Sequence, residues 1–209
     1  MTSRKGQLFV VSGPSGSGKD SIIRRVLERD DTLRLSVSCV TRPRREGEAD
    51  EAKYNFISQS EFKTMLFRGE FLEHARYLGN YYGTPRRAVE AWTEQGVDVL
   101  LEIEVIGAAQ VKRIMPESTA IFILPPSAQA LHERLDRRGT EEPEMVRRRL
   151  RRAQREIACA HSFDYLIVND TLSEAVEQMQ RIIRCQRTRV SVNKNIIEEV
   201  LKDARSRYW

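Results

Sequence analysis

Residues Gln7 to Arg25 read QLFVVSGPSGSGKDSIIRR, and this stretch decides the fold. An apolar run, Leu8-Phe9-Val10-Val11, stops at a loop that holds Gly13, Gly16 and Gly18. Lys19 follows, and Ile22, Ile23, Val26 and Leu27 then recur at helical spacing. Strand, glycine loop and helix, with the spacing G-x-x-x-x-G-K, predict a phosphate-binding loop. The glycines allow a tight path whose backbone N–H groups point inward at phosphate oxygens. The helix that starts near Lys19 adds the positive end of its dipole. Lys19 itself carries charge to the outer phosphates.

One position breaks the pattern. Asp20 stands where the motif places Ser or Thr to ligate Mg²⁺, and Ser21 comes one residue later. A carboxylate is a good hard-oxygen ligand for Mg²⁺, yet it adds negative charge beside a polyphosphate. Three readings stay open at this point: Asp20 reaches the metal or its waters, Ser21 substitutes, or the site is impaired.

The rest of the chain supports a single α/β unit. Its 209 residues, 40% apolar and 31% charged, suffice for one soluble globular domain with a sizeable core and a small insertion. No apolar run approaches the ~20 residues of a membrane span. The N-terminal MTSRKGQ enters the first strand without a signal-peptide core. Cys39, Cys159 and Cys185 are odd in number and lack metal-ligand spacing, so a reduced cytoplasmic setting is expected. A net charge of +5 suits an anionic partner.

Taken in order, Arg34–Val40 reads as a second strand, followed by the irregular Thr41-Arg-Pro-Arg-Arg-Glu-Gly-Glu48. A charge run is usually a solvated face, but arginine's bidentate fork also suits phosphate. Tyr54–Ile57 is a short strand. Ser58 and Glu61 form a capping box for a helix through about Phe67. Phe71–Tyr77 and Tyr81-Tyr82 read as strands joined by a turn, and Thr84-Pro85 as the cap and first residue of the next helix. The mixed segment of about residues 42–96 is expected to be an insertion carrying a second binding site, between core segments 1–41 and 97–209. Val97–Val105 reads as a core strand that places Glu102 and Glu104 on one face near its end. There the pair suits Mg²⁺, held directly or through water, or a polar base. Thr119–Leu124 and Tyr165–Val168 complete a parallel sheet of five strands. Between them, two helices meet near Gly139, with Arg134, Arg137, Arg138, Arg147, Arg148 and Arg149 on either side. A mobile lid over about residues 134–152 is one reading, and surface helix charge is the ordinary one for most of the six. The tail of about residues 186–209 carries an amphipathic stretch (Val192, Ile196, Ile197, Val200, Leu201) expected to pack on the body or on a partner.

Several of these stretches agree on one family. SGPSGSGK (Ser12–Lys19), SVSCVTRPRREGE (Ser36–Glu48), YNF (Tyr54–Phe56), FLEHARYLGNYYGTP (Phe71–Pro85), LEIEVIG (Leu101–Gly107), IFILPPS (Ile121–Ser127), RLDRRGT (Arg134–Thr140) and YLIVND (Tyr165–Asp170) together resemble guanylate kinase. The resemblance runs in unbroken order from about Gln7 to Cys185. It implies a P-loop NTPase-type core with a mixed α+β GMP-binding insertion and a helical lid. It also implies Mg²⁺-dependent transfer of phosphate from ATP to GMP or dGMP in purine metabolism. ATP would lie on Gly13, Pro14, Ser15, Gly16, Ser17, Gly18, Lys19, Asp20 and Ser21, with Arg134, Arg138 and Asn169. The GMP phosphate would be held by Arg42, Arg45, Tyr54 and Tyr82. The base would be read by Ser38 and Glu73, with Thr84 and Glu104 close by. Lys19, Arg42, Arg138 and Arg149 would carry catalysis, and Asp20 and Glu102 the metal, the latter through water. A carboxylate accepts from guanine N1–H and N2–H₂ while a hydroxyl donates to O6, and adenine presents the wrong edge. Glu104 stands where the family usually has Asp, Ile106 where it has Gln, and Pro43 lies one place early.

Other readings make different demands. Kinases of ribose 1,5-bisphosphate resemble the family and carry G-K-D-S in the loop, but should lack the guanine-reading set that this chain has. Inactive guanylate-kinase-like binding modules lose the phosphate loop or lid, and both are present. Nucleic-acid binding through the basic faces lacks a recognised motif, so neither nucleic acid nor membrane is expected as a partner.

Overall fold

The computed structural model describes residues 4–44, 53–77, 79–136 and 143–207. Leu8–Ser12 forms β1, buried along its whole length at the centre of a parallel sheet. The loop after it leads directly into α1 (Lys19–Arg29). The remaining sheet strands are β2 (Leu33–Leu35), β7 (Asp98–Glu102), β8 (Thr119–Leu124) and β9 (Tyr165–Val168), in the order β2-β7-β1-β8-β9. Alternation along each strand sends successive side chains to opposite faces. Phe9, Val11, Leu100, Ile121, Ile123 and Ile167 face α1 and α7 (Leu172–Arg187). Leu8, Val10, Val99 and Leu101 face α3 (Arg86–Glu94) and α4 (Val105–Ile114).

A second sheet, in the order β4-β3-β6-β5, is built from β3 (Ser38–Val40), β4 (Tyr54–Phe56), β5 (Phe71–Tyr77) and β6 (Asn80–Pro85), with α2 (Gln59–Phe67) against it. Its small core stacks Phe62 on Phe71 at 4.4 Å and on Tyr81 at 5.3 Å. The sheet is tied to α4 by Gln110, which accepts from His74 N and donates to His74 O. Helices α5 (Ala128–Asp136) and α6 (Pro143–Ala158) pack on each other through Leu131, Leu135, Val146 and Ala153.

Four expectations change. Arg34–Val40 is two strands in two sheets: Ser36 N donates to Leu100 O of β7, while Ser38 N donates to Lys53 O ahead of β4. The third core strand ends at Glu102, and Glu104 is already the N-cap of α4. Pro85, not Thr84, is the N-cap of α3, and the Thr84 hydroxyl is committed elsewhere, donating to Glu73 Oε1 at 2.7 Å. Of the two places expected for the tail's apolar stripe, the body is not one: the tail forms α8 (Lys194–Arg207), which buries no residue, and Ile196, Ile197, Val200 and Leu201 are all exposed. The Ser58 cap meets its expectation, its hydroxyl accepting from Glu61 N at 3.1 Å.

Candidate active site

The phosphate loop sits at the C-terminal end of the sheet, where open α/β folds bind ligands. Gly18 adopts φ 91°, and an added Cβ there would lie 2.2 Å from Asn169 Nδ2. That amide, delivered by the end of β9, donates to Ser17 O at 2.7 Å. Arg134 in turn donates to Asn169 O at 2.9 Å. Ser17, Asn169 and Arg134 therefore lie behind the loop and brace it. Lys19 folds over the loop, its ammonium donating to Gly13 O at 2.7 Å and Pro14 O at 3.1 Å. Burial lowers the Lys19 pKa, opposed by the carboxylates of Glu102 and Asp20.

In front of the loop is a cleft of about 300 Å³ between the two sheets and α6. Gly13, Ser15, Gly16, Gly18, Lys19, Asp20, Ser38, Arg42, Tyr54, Glu73, Tyr82, Glu102, Glu104 and Arg149 all line it. Ser21 does not, because one residue along α1 is a turn of about 100°. Arg45 and Arg138 fall outside the described residues. A larger groove of about 1180 Å³ opens beside the starts of β1, β8 and β9. That is the opposite end of the strands from the phosphate loop.

Deep in the cleft, the β5–β6 register shifts between Phe71 and Glu73, which sets Glu73 opposite Thr84. Thr84 Oγ1 lies 3.3 Å from Ser38 Oγ, so Ser38, Thr84 and Glu73 form one polar chain. Glu73 is 4% exposed, and burial pushes its carboxyl up to about 7 against the hydrogen bonds from Thr84. Its Oε2 lies where a Cβ on Gly107 would be 2.4 Å away, so the first turn of α4 must be bare there. Nearer the mouth, the Arg42 guanidinium lies 5.2 Å from the Tyr54 ring centroid, and Tyr54 meets Tyr82 edge-on at 6.3 Å.

The two glutamates share the cleft although strand alternation does not place them there. Val11 pairs with Glu102, which puts Glu102 beside the start of the loop. The helix start puts Glu104 farther out, 2.6 Å from Arg152 of α6. Arg149, one turn earlier, donates to Ser15 Oγ at 2.6 Å, so α6 touches both the loop and Glu104.

Two cleft residues, Arg152 and Lys53, escape a motif search. Arg152 stacks 4.1 Å over Tyr77 and also pairs with Glu156. Its i+3 spacing from Arg149 on a helix was the available signal. Gly107 closes the LEIEVIG stretch, but nothing in that stretch shows that Glu73 requires the position to be bare. Lys53 had no local signal: its ammonium contacts Asp20 Oδ1 and lies 2.7 Å from Glu102 Oε2. Burial would lower the Lys53 pKa, but Glu102 and Asp20 outweigh it and raise it. Asp20 and Glu102 thus already hold one cation between hard oxygens, a donor set that fits Mg²⁺ directly or through water. Among the described residues, no group of three or more His, Cys, Asp or Glu could hold a metal. No described helix is long and apolar enough to cross a membrane.

Comparison with known proteins adds four findings. A family model described as guanylate kinase matches residues 5–186. The chain is 47% identical to guanylate kinase of Symbiobacterium thermophilum, covering 94% of this chain and 93% of the relative. It is 44% identical to guanylate kinase of Clostridioides difficile over 96% and 98%. The crystal structure of guanylate kinase from Anaplasma phagocytophilum superposes with a TM-score of 0.77 at 32% identity, covering 92% of each chain.

Proposed function

The chain belongs to the guanylate kinase family and is an ATP:GMP phosphotransferase, and from that premise we propose how its own residues divide the work. The observation that carries the proposal is the buried chain Ser38–Thr84–Glu73, opening into the same cleft as Lys19. Glu73 accepts from guanine N1–H and N2–H₂ in its ionised form, and the donors of the base stabilise that charge. Thr84 holds the carboxylate in place, and Ser38 donates to O6. Adenine leaves Glu73 facing an acceptor, a mismatch costing about 1–3 kcal/mol for each unmet buried group. Arg42, Tyr54 and Tyr82, with Arg45, hold the GMP phosphate.

The triphosphate of ATP lies on the backbone N–H groups of residues 13–18 at the N-terminus of α1. Lys19 exchanges the carbonyls of Gly13 and Pro14 for phosphate oxygens, and Arg149 turns from Ser15 to the transferring group. Arg134 and Asn169 hold the loop in shape, with Arg138 on the lid of about residues 134–152. Asp20 and Glu102 would hold Mg²⁺, which would supply neutralising charge at the outer phosphates. No covalent intermediate is needed, because positioning and charge neutralisation account for phosphoryl transfer. The insertion of about residues 42–96 presents GMP, the core presents ATP, and the enzyme works in the cytoplasm, recycling GMP and dGMP.

An ADP-release assay over GMP, dGMP, AMP, UMP and ribose 1,5-bisphosphate tests this assignment. Turnover is expected with GMP and dGMP only. Comparable turnover of ribose 1,5-bisphosphate or AMP would overturn the role given to Glu73, Thr84 and Ser38.

A further inference from the structure

We propose that Lys53 is a positioning residue that occupies the cation place between Asp20 and Glu102, so that a divalent ion enters only by displacing it. This rests on the reading of Asp20 and Glu102 as the metal-holding pair. Lys53 comes immediately before β4, in the insertion, whereas Asp20 opens α1 and Glu102 closes β7 in the core. The ammonium therefore joins the insertion to the phosphate loop at the cleft itself. The two arms differ. The Glu102 side chain is 11% exposed and its pairing is anchored, whereas the Asp20 side chain is 75% exposed and its pairing is screened. Asp20 is thus the arm that opens first.

Charge explains why such a residue is needed. Asp20 adds a carboxylate where the loop motif has a neutral hydroxyl, next to Glu102 and close to a site for polyphosphate. Lys19 and Lys53 together balance Asp20 and Glu102. Without Lys53, the two carboxylates face each other with one lysine, and Lys19 is committed to Gly13 and Pro14. A lysine suits an exchangeable counter-ion, being a compact charge on a flexible four-carbon stem. Once displaced, the same stem swings the ammonium toward the phosphates while β4 stays paired with β3. Metal entry and release of the insertion from the loop are then one exchange.

Binding of Mn²⁺ alone to the protein, followed by electron paramagnetic resonance, tests this apart from activity. Lys53→Met keeps the stem and removes the charge, and should lower the Mn²⁺ dissociation constant at least tenfold. Lys53→Arg should restore a value within about threefold of the unaltered protein. Adding Asp20→Asn to Lys53→Met should abolish the gain. An unchanged constant in Lys53→Met overturns the proposal while leaving the carboxylate pair intact as the metal site, provided Asp20→Asn alone weakens binding. A gain that survives Asp20→Asn places the ion elsewhere and overturns both.

Discussion

Glu73 trades stability for recognition. Its carboxyl titrates near 4.5 in an unfolded chain and at about 7 in the folded protein, because it is buried. Between those values the folded state binds more protons, so stability falls as pH rises through the window. The benefit is complete below about 4.5 and gone above about 7. Glu73→Gln should therefore lose less unfolding free energy between pH 5 and pH 8 than the unaltered protein, by ~1–3 kcal/mol in urea titrations. The same variant should bind GMP more weakly by about 1–3 kcal/mol in calorimetry. Equal GMP affinity would remove Glu73 from the pocket. Lys19 sits at the other subsite. Lys19→Ala should lower kcat by at least the ~10²–10³ of a lost preorganised donor, with GMP affinity largely kept. A matching fall in GMP affinity would merge the two subsites.

Among the elements, α1 and α8 show opposite relations between pattern and packing. The apolar stripe of α1 is consumed by the sheet: Ile22, Ile23 and Val26 are buried. The stripe of α8 is not, with Val200 64% exposed. The helix is held at its start by Asn193, whose amide donates to Arg187 O and Arg189 O, both at 2.8 Å. Because α8 buries nothing, removing residues 194–209 should change unfolding free energy by less than ~1 kcal/mol, or a few degrees in Tm. A larger loss by calorimetry would show packing of α8 that its exposure denies.

Across the whole molecule, one buried carboxylate joins the two ends of the fold. Asp98 is fully buried and accepts two bonds from Arg4, both at 2.7 Å, another from Arg187 Nε at 2.7 Å and one from Gln7 N at 2.8 Å. Arg187 also pairs with Asp30 at 2.8 Å. The entry to β1, the end of α1, the start of β7 and the end of α7 meet there. Breaking one partner of a buried ion network costs about 3–5 kcal/mol, because the remaining charges stay desolvated. Asp98→Ala should lose that much stability in urea unfolding. A loss under ~1 kcal/mol would show that water replaces the carboxylate. The site lies at the other end of β7, so kcat at a temperature where the variant is folded should be nearly unchanged.

The sequence by itself determined what local chemistry specifies. Glycine spacing after an apolar run dictated the phosphate loop, because few backbone paths present so many N–H groups inward. Continuous apolar runs announced strands at Leu8–Val11, Thr119–Leu124 and Tyr165–Val168, the first two buried in the sheet and the last an edge strand that buries only Ile167, and Ser58 announced a helix start. The resemblance assigned Ser38, Arg42, Tyr54, Tyr82 and Glu73 to a cleft that the fold assembles from both sheets. Only the tertiary structure decided how residues with equal local preference were shared out. Arg34–Val40 has one strand propensity but partners in two sheets, β7 in one and β4 and β6 in the other, and the backbone bonds of Ser36 and Ser38 made the division. Thr84 suits a helix cap or a strand, and the carboxylate of Glu73 claimed its hydroxyl. Lys53 carries no local signal, because the two carboxylates that hold it arrive from α1 and β7. A charge's partners are chosen by proximity in space, and proximity across a fold is absent from any window of sequence.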